Sequence, residues 1–103
     1  MPHDHAVTVH DHLARFWGAR ALKLAGDVDR AQLLGWAPDE IAKLRGKQVV
    51  AEAATRHFQG QQFAFATVDT ADLIDAYERL TDNWQGPEAE AMLAELKRRD
   101  SKE

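Results

Sequence analysis

The sequence predicts an all-α fold, a compact array of four to six short helices. Three observations carry that prediction. Apolar residues recur at helical spacing through most of the chain. Gly35, Gly60, Gly86, Pro38 and Pro87 fall at the ends of those stretches rather than inside them. No two segments alternate in a way that would let them pair as strands. At 103 residues, 45% hydrophobic and 29% charged, the chain has the make-up of one globular domain. That domain is expected over residues 9–97, between a flexible N-terminus at 1–8 and a polar tail at 98–103.

The first helix is expected over 9–25, with Val9, Leu13, Phe16, Trp17 and Leu24 on one face. Thr8 and Asp11 suit its start, and Gly26 suits a left-handed stop. Asp27 then caps a short helix from Val28 to Leu34, ended by Gly35. Trp36 at this corner reads as a core plug. Pro38 opens the next helix, with Asp39 and Glu40 at its positive end. Val50, Ala53, Ala54, His57 and Phe58 share a face, so 38–58 is one helix weakened at Gly46 or two helices meeting there. Residues 59–62 break the pattern. The segment 63–68 is expected to be a loop whose phenylalanines dock on the helices. Asp69 or Thr70 starts a further helix with Leu73, Ile74, Tyr77, Leu80 and Trp84 on its apolar face. Pro87 opens the last, which buries Met92, Leu93 and Leu96.

Composition excludes several function classes. With no cysteine, there is no disulfide scaffold, thiolate metal site or cysteine nucleophile. A net charge of -4 argues against bulk affinity for nucleic acid. The first residues lack a basic region followed by an apolar one, and no apolar run reaches membrane-spanning length, so a cytoplasmic protein without membrane insertion is expected. Phosphate loops and nucleophile elbows are missing. No enzyme activity and no cofactor are therefore expected.

Some residues still have chemistry to offer. His3, His5, His10 and His12, with Asp4 and Asp11, are metal-ligand types, but His10 and His12 point apart on a helix. That spacing favours an incidental polar terminus. Asp72, Asp75 and Glu78 recur every third residue and read as a solvated stripe rather than an acid–base pair. His57 falls on an apolar face, where a core histidine is the simpler reading.

Two resemblances suggest functions. Ala31, Leu34, Gly35, Ile41 and Leu44 stand where the helix-turn-helix of bacterial repressors has its packing residues. That likeness implies a second helix, 38–46, offered to the major groove, with Lys43, Arg45 and Lys47 as the DNA-binding residues. Asp39 and Glu40 would then face phosphate, and no early side chain suits base reading.

The second resemblance is longer. His10-Asp11, Arg15-Phe16, Ala19-Arg20, Lys23-Leu24, Gly26, Leu34-Gly35, Lys47-Gln48-Val49-Val50, Asp72-Leu73 and Arg79-Leu80 occur in one order over residues 10–80. In that order they resemble the zeta inhibitor subunit of alphaproteobacterial F-type ATP synthases. The likeness implies a small helical body that binds and regulates a larger complex. The family's inhibitory segment precedes its His-Asp pair, where this sequence has nine residues. The segment 59–68 has no counterpart in the family.

These readings combine into one expectation, a non-enzymatic interaction or regulatory domain with a protein partner. Three tryptophans, four phenylalanines and a tyrosine are ample for so small a core. Any left exposed would anchor the partner. Phe63, Phe65 and Trp84, at element edges, are the partner-binding candidates. The simpler alternative is that all three close the core.

Overall fold

A computed structural model describes the backbone of residues 4–83 and 86–100, and the side chains of 9–80 and 86–100. Among these residues the chain is all-α. Four α-helices, α1 (Asp4–Leu33), α2 (Pro38–Phe58), α3 (Thr70–Asn83) and α4 (Pro87–Asp100), are joined by loops, one of which holds a 3-10 turn, η1 (Ala64–Thr67).

α1 is longer than its sequence suggests. It begins at Asp4, inside the terminus expected to be flexible, and runs straight through Gly26. The reason for continuity at Gly26 lies in the buried seam. Ala14, Trp17, Ala21, Leu24, Val28 and Ala31 are all buried, at spacings of three and four. This is the repeat of a helix packed lengthwise on a partner. Burial of Val28 and Ala31 against α2 outweighs the roughly 1 kcal/mol that an exposed helical glycine costs. Asp27 accordingly caps nothing. It pairs with Arg30, one turn on, at 3.7 Å.

The α1–α2 connection is specified by glycine. Gly35 has φ +73°. Trp36 N–H donates to the Ala31 carbonyl (3.0 Å) and Gly35 N–H to that of Gln32 (3.2 Å), the paired bonds of a Schellman stop. Pro38 then stands in the first turn of α2, where a missing N–H is harmless. The far end of α2 repeats the device. Gly60 has φ +97°, and Gln61 and Gly60 N–H donate to the carbonyls of Arg56 and His57, both at 3.0 Å.

α2 is one helix and the centre of the fold. Val50, Ala51, Ala53, Ala54 and Phe58 are buried on two of its faces. α1 covers one face, while η1 and α3 cover the other. Small side chains let these neighbours come close. Gly46 shows how close: a Cβ there would lie 2.6 Å from Asp72 Oδ1 and 2.9 Å from Asp72 Cγ on α3. In a helix interior Gly→Ala ordinarily stabilises by about 1 kcal/mol. Here Gly46→Ala is expected to destabilise by about 1–2 kcal/mol, because the Asp72 carboxylate would have to shift away from a contact under 3 Å. Adding Asp72→Ala should recover most of that loss in urea unfolding. A single variant more stable than the parent would show that the close approach does not exist.

α3 and α4 complete the core through Leu73 and Met92, both fully buried. Ile74, expected on the inner face of α3, is 41% exposed. Arg98 and Arg99, expected in a frayed tail, belong to the last turn of α4.

Candidate functional site

The surface that stands out is the α1–α2 corner. Leu33 is 88% exposed, Leu34 67% and Trp36 48%. The expectation that Trp36 plugs the core is thus corrected. The Schellman stop places Trp36 just past the helix end, where about half of the residue stays in solvent. Beside the corner opens a groove of about 500 Å³, lined by Gln32, Pro38, Ile41, Ala42, Arg45 and Val49, with Asp69 and Asp72 beyond. Val49 adds further exposed apolar area. The groove runs from the end of α1 along α2, and its lining mixes apolar side chains with Arg45, Asp69 and Asp72.

The three sequence-chosen aromatic anchors do not gather. Phe65 is 3% exposed, buried in the core, so it is no partner residue. Its placement follows from η1, which turns it inward beside His57, ring centroids 5.6 Å apart. Phe63 is 66% exposed. It adopts a left-handed φ of 56°, uncommon for a bulky residue. The Arg98 guanidinium lies 5.4 Å from its ring centroid, a cation–π contact within this chain. Phe63 and the Trp36 corner lie at opposite ends of α2, a helix about 30 Å long. Trp84 lies outside the described residues.

The basic residues also divide. Lys43 and Lys47, one turn apart, line a cleft between α1, α2 and α3. Arg45 faces the corner groove instead. The short first helix of the expected helix-turn-helix is the last part of the 30-residue α1. That helix lies along α2, with Gly18 beside Thr55 and His10 beside Phe58.

Among the described residues the early histidines form no cluster. His10 packs edge-on to Phe58 at 5.6 Å and His12 is exposed. His3 and the side chain of His5 are outside the described residues. Among the described residues no three of His, Asp and Glu converge as metal ligands. The acidic stripe of α3 is not uniformly solvated. Asp72 is partly buried against Gly46, and Asp75 pairs with Arg79 at 2.8 Å.

Two groups have pKa values shifted by their surroundings in the fold. Burial lowers the His57 pKa from its ordinary 6.5, with a smaller contribution from His10. Glu95 is buried on α4. Its hydrogen bond from Arg98 lowers its pKa from 4.5, and Arg99 adds to this against the opposing effect of burial. Both folded-state values lie below the unfolded ones, so in both cases the unfolded chain binds more protons as pH falls. The His57 contribution is full above 6.5 and is lost as pH drops through its folded value. The Glu95 contribution is full above 4.5 and is lost below that. Urea midpoints should therefore fall in two steps on acidification. His57→Gln should remove the upper step, and Glu95→Gln the lower.

Comparison of this chain with protein-family models, curated proteins and solved structures finds no match.

Proposed function

We propose that this chain is a non-enzymatic interaction domain that docks a protein partner on the α1–α2 corner. The observation behind the proposal is the run of Leu33, Leu34 and Trp36, three large apolar side chains exposed at a rigid turn. Exposing them is unfavourable in water unless something covers them. Tryptophan and its apolar neighbours beside a groove are the composition of a binding hot spot. The turn is set by Gly35 and by backbone hydrogen bonds, so little order has to be gained on binding.

The half-exposed Trp36 also bears on the rival reading. A repressor-like unit would bury a tryptophan at its turn, and here the ring is half in solvent. Lys43 and Arg45 facing different grooves give no single basic track for phosphates. The likeness to the ATP synthase zeta subunit names one candidate for the larger complex that this domain would regulate.

The test is affinity capture from the native cell with the parent chain and with Leu34→Asp/Trp36→Asp. The same proteins should be enriched by the parent and lost by the variant. ATP synthase subunits among them would support the zeta likeness. Equal capture by both chains would sink the corner as the docking site. Salt-sensitive retention on duplex DNA, abolished by Lys43→Ala/Lys47→Ala, would favour the DNA reading instead.

A further inference from the structure

We propose that the cleft between α1, α2 and α3 binds a small organic anion with an apolar body, an aryl or short acyl carboxylate or phosphate. The cleft holds about 280 Å³, near the lower end for small-molecule pockets. Its apolar wall comes from Trp17 on α1, Val50 on α2, and Ala76 and Leu80 on α3. Cations from all three helices meet there: Arg20, Lys43, Lys47 and Arg79. In a chain of net charge -4, this is a local reversal of sign.

The chain neutralises this charge only in part. Two carboxylates share the cleft, Asp72 and Asp75. Asp75 is engaged by Arg79 at 2.8 Å, and Asp72 is pressed onto Gly46. Lys43 reaches Glu40 at 3.8 Å across exposed surface, where such a pair is weak. Among the described residues, Arg20 and Lys47 form no ion pair. Both cations are therefore available to a ligand.

Trp17 is 7% exposed, so the cleft meets it at the edge of the core rather than at an open face. The apolar wall selects for an organic body, because an inorganic ion gains nothing from Trp17 and Leu80. The concave shape and small volume hold a single head group rather than a nucleic-acid backbone.

The experiment uses the full chain with Trp36→Phe and Trp84→Phe, so that Trp17 is the sole tryptophan. Its emission is followed on titration with octanoate and with phenyl phosphate. Octanol, phenol and inorganic phosphate serve as controls. At least one of the two organic anions should give a saturable change with Kd below about 1 mM. Arg20→Ala and Lys47→Ala should each weaken that binding about tenfold or more, with circular dichroism unchanged. Added salt should weaken it as well. A preference for octanoate points to an acyl ligand, and one for phenyl phosphate to an aryl ligand. The proposal is overturned if neither anion saturates, if octanol or phenol responds equally, if inorganic phosphate binds as tightly, or if both alanine variants bind like the parent. Neither Arg20 nor Lys47 belongs to the α1–α2 corner, so such a failure would leave the docking reading standing.

Discussion

Arg99→Ala is expected to destabilise the fold by about 2–4 kcal/mol. This side chain ties together α4, η1 and the start of α3. Arg99 Nε donates to Glu95 Oε2 at 2.8 Å on α4. Its Nη1 donates to Thr70 Oγ1 at 2.7 Å, at the start of α3. Nη2 donates to the carbonyls of Phe65 (2.9 Å) and Val68 (2.7 Å), which belong to η1 and its exit. One guanidinium thus adds charge-assisted donors to a turn whose Phe65 carbonyl already accepts from Val68 N–H at 3.1 Å. Removing it takes a donor from both carbonyls and leaves Glu95, buried at 6% exposure, with Arg98 alone. Lysine offers one ammonium in place of a planar fork, so Arg99→Lys should recover only part of the loss. Chemical unfolding of the three proteins side by side measures both effects. An Arg99→Ala chain as stable as the parent would show that η1 is held by Phe65 and Val68 burial alone.

The second large effect separates two tryptophans that composition treats alike. Trp17→Ala should cost about 3–5 kcal/mol, because the ring is 7% exposed and is packed in the main core with Leu24, Val50 and Phe58. Trp36→Ala should cost about 1–1.5 kcal/mol, since roughly half of that ring never leaves water. Equal losses would mean that Trp36 closes the corner after all.

Those two tryptophans also show how far the sequence could be read. Helix type, the Gly35 and Gly60 stops, the Pro38 and Pro87 starts and the inward face of α2 all follow from local chemistry. What failed was any inference that needed a neighbour. Gly26 reads as a stop until Val28 and Ala31 are seen to continue the seam on α2. The alanines of that seam, Ala14, Ala21 and Ala31, carry almost no hydrophobic signal, although all three are buried. Phe63 and Phe65 look equivalent by spacing. Only the left-handed φ at Phe63 and the η1 turn send one outward and one into the core. Arg99 looks like part of a solvated helix, since its partners in η1 and at the start of α3 lie about thirty residues away, and Glu95 is tied to them only through Arg99.

The candidate sites were less legible still. The corner was singled out, but as a packed junction, because nothing local to Trp36 says how far its ring is covered. The cationic cleft was half visible through Lys43 and Lys47. Arg20 and Arg79 join it only once the turn at Gly35 folds α2 back along α1 and α3 packs across them.

Trp36 gives the most direct test of the central claim, that the α1–α2 corner is a docking surface. Trp36→Ala should be measured twice on the same preparation: by thermal or urea unfolding, and by affinity for the partner captured with the parent chain. Affinity is predicted to fall about tenfold or more, the range of an interface hot spot, while stability falls by no more than about 1.5 kcal/mol. Unchanged affinity, or a stability loss of about 3–5 kcal/mol that alone accounts for the lost binding, would contradict the account.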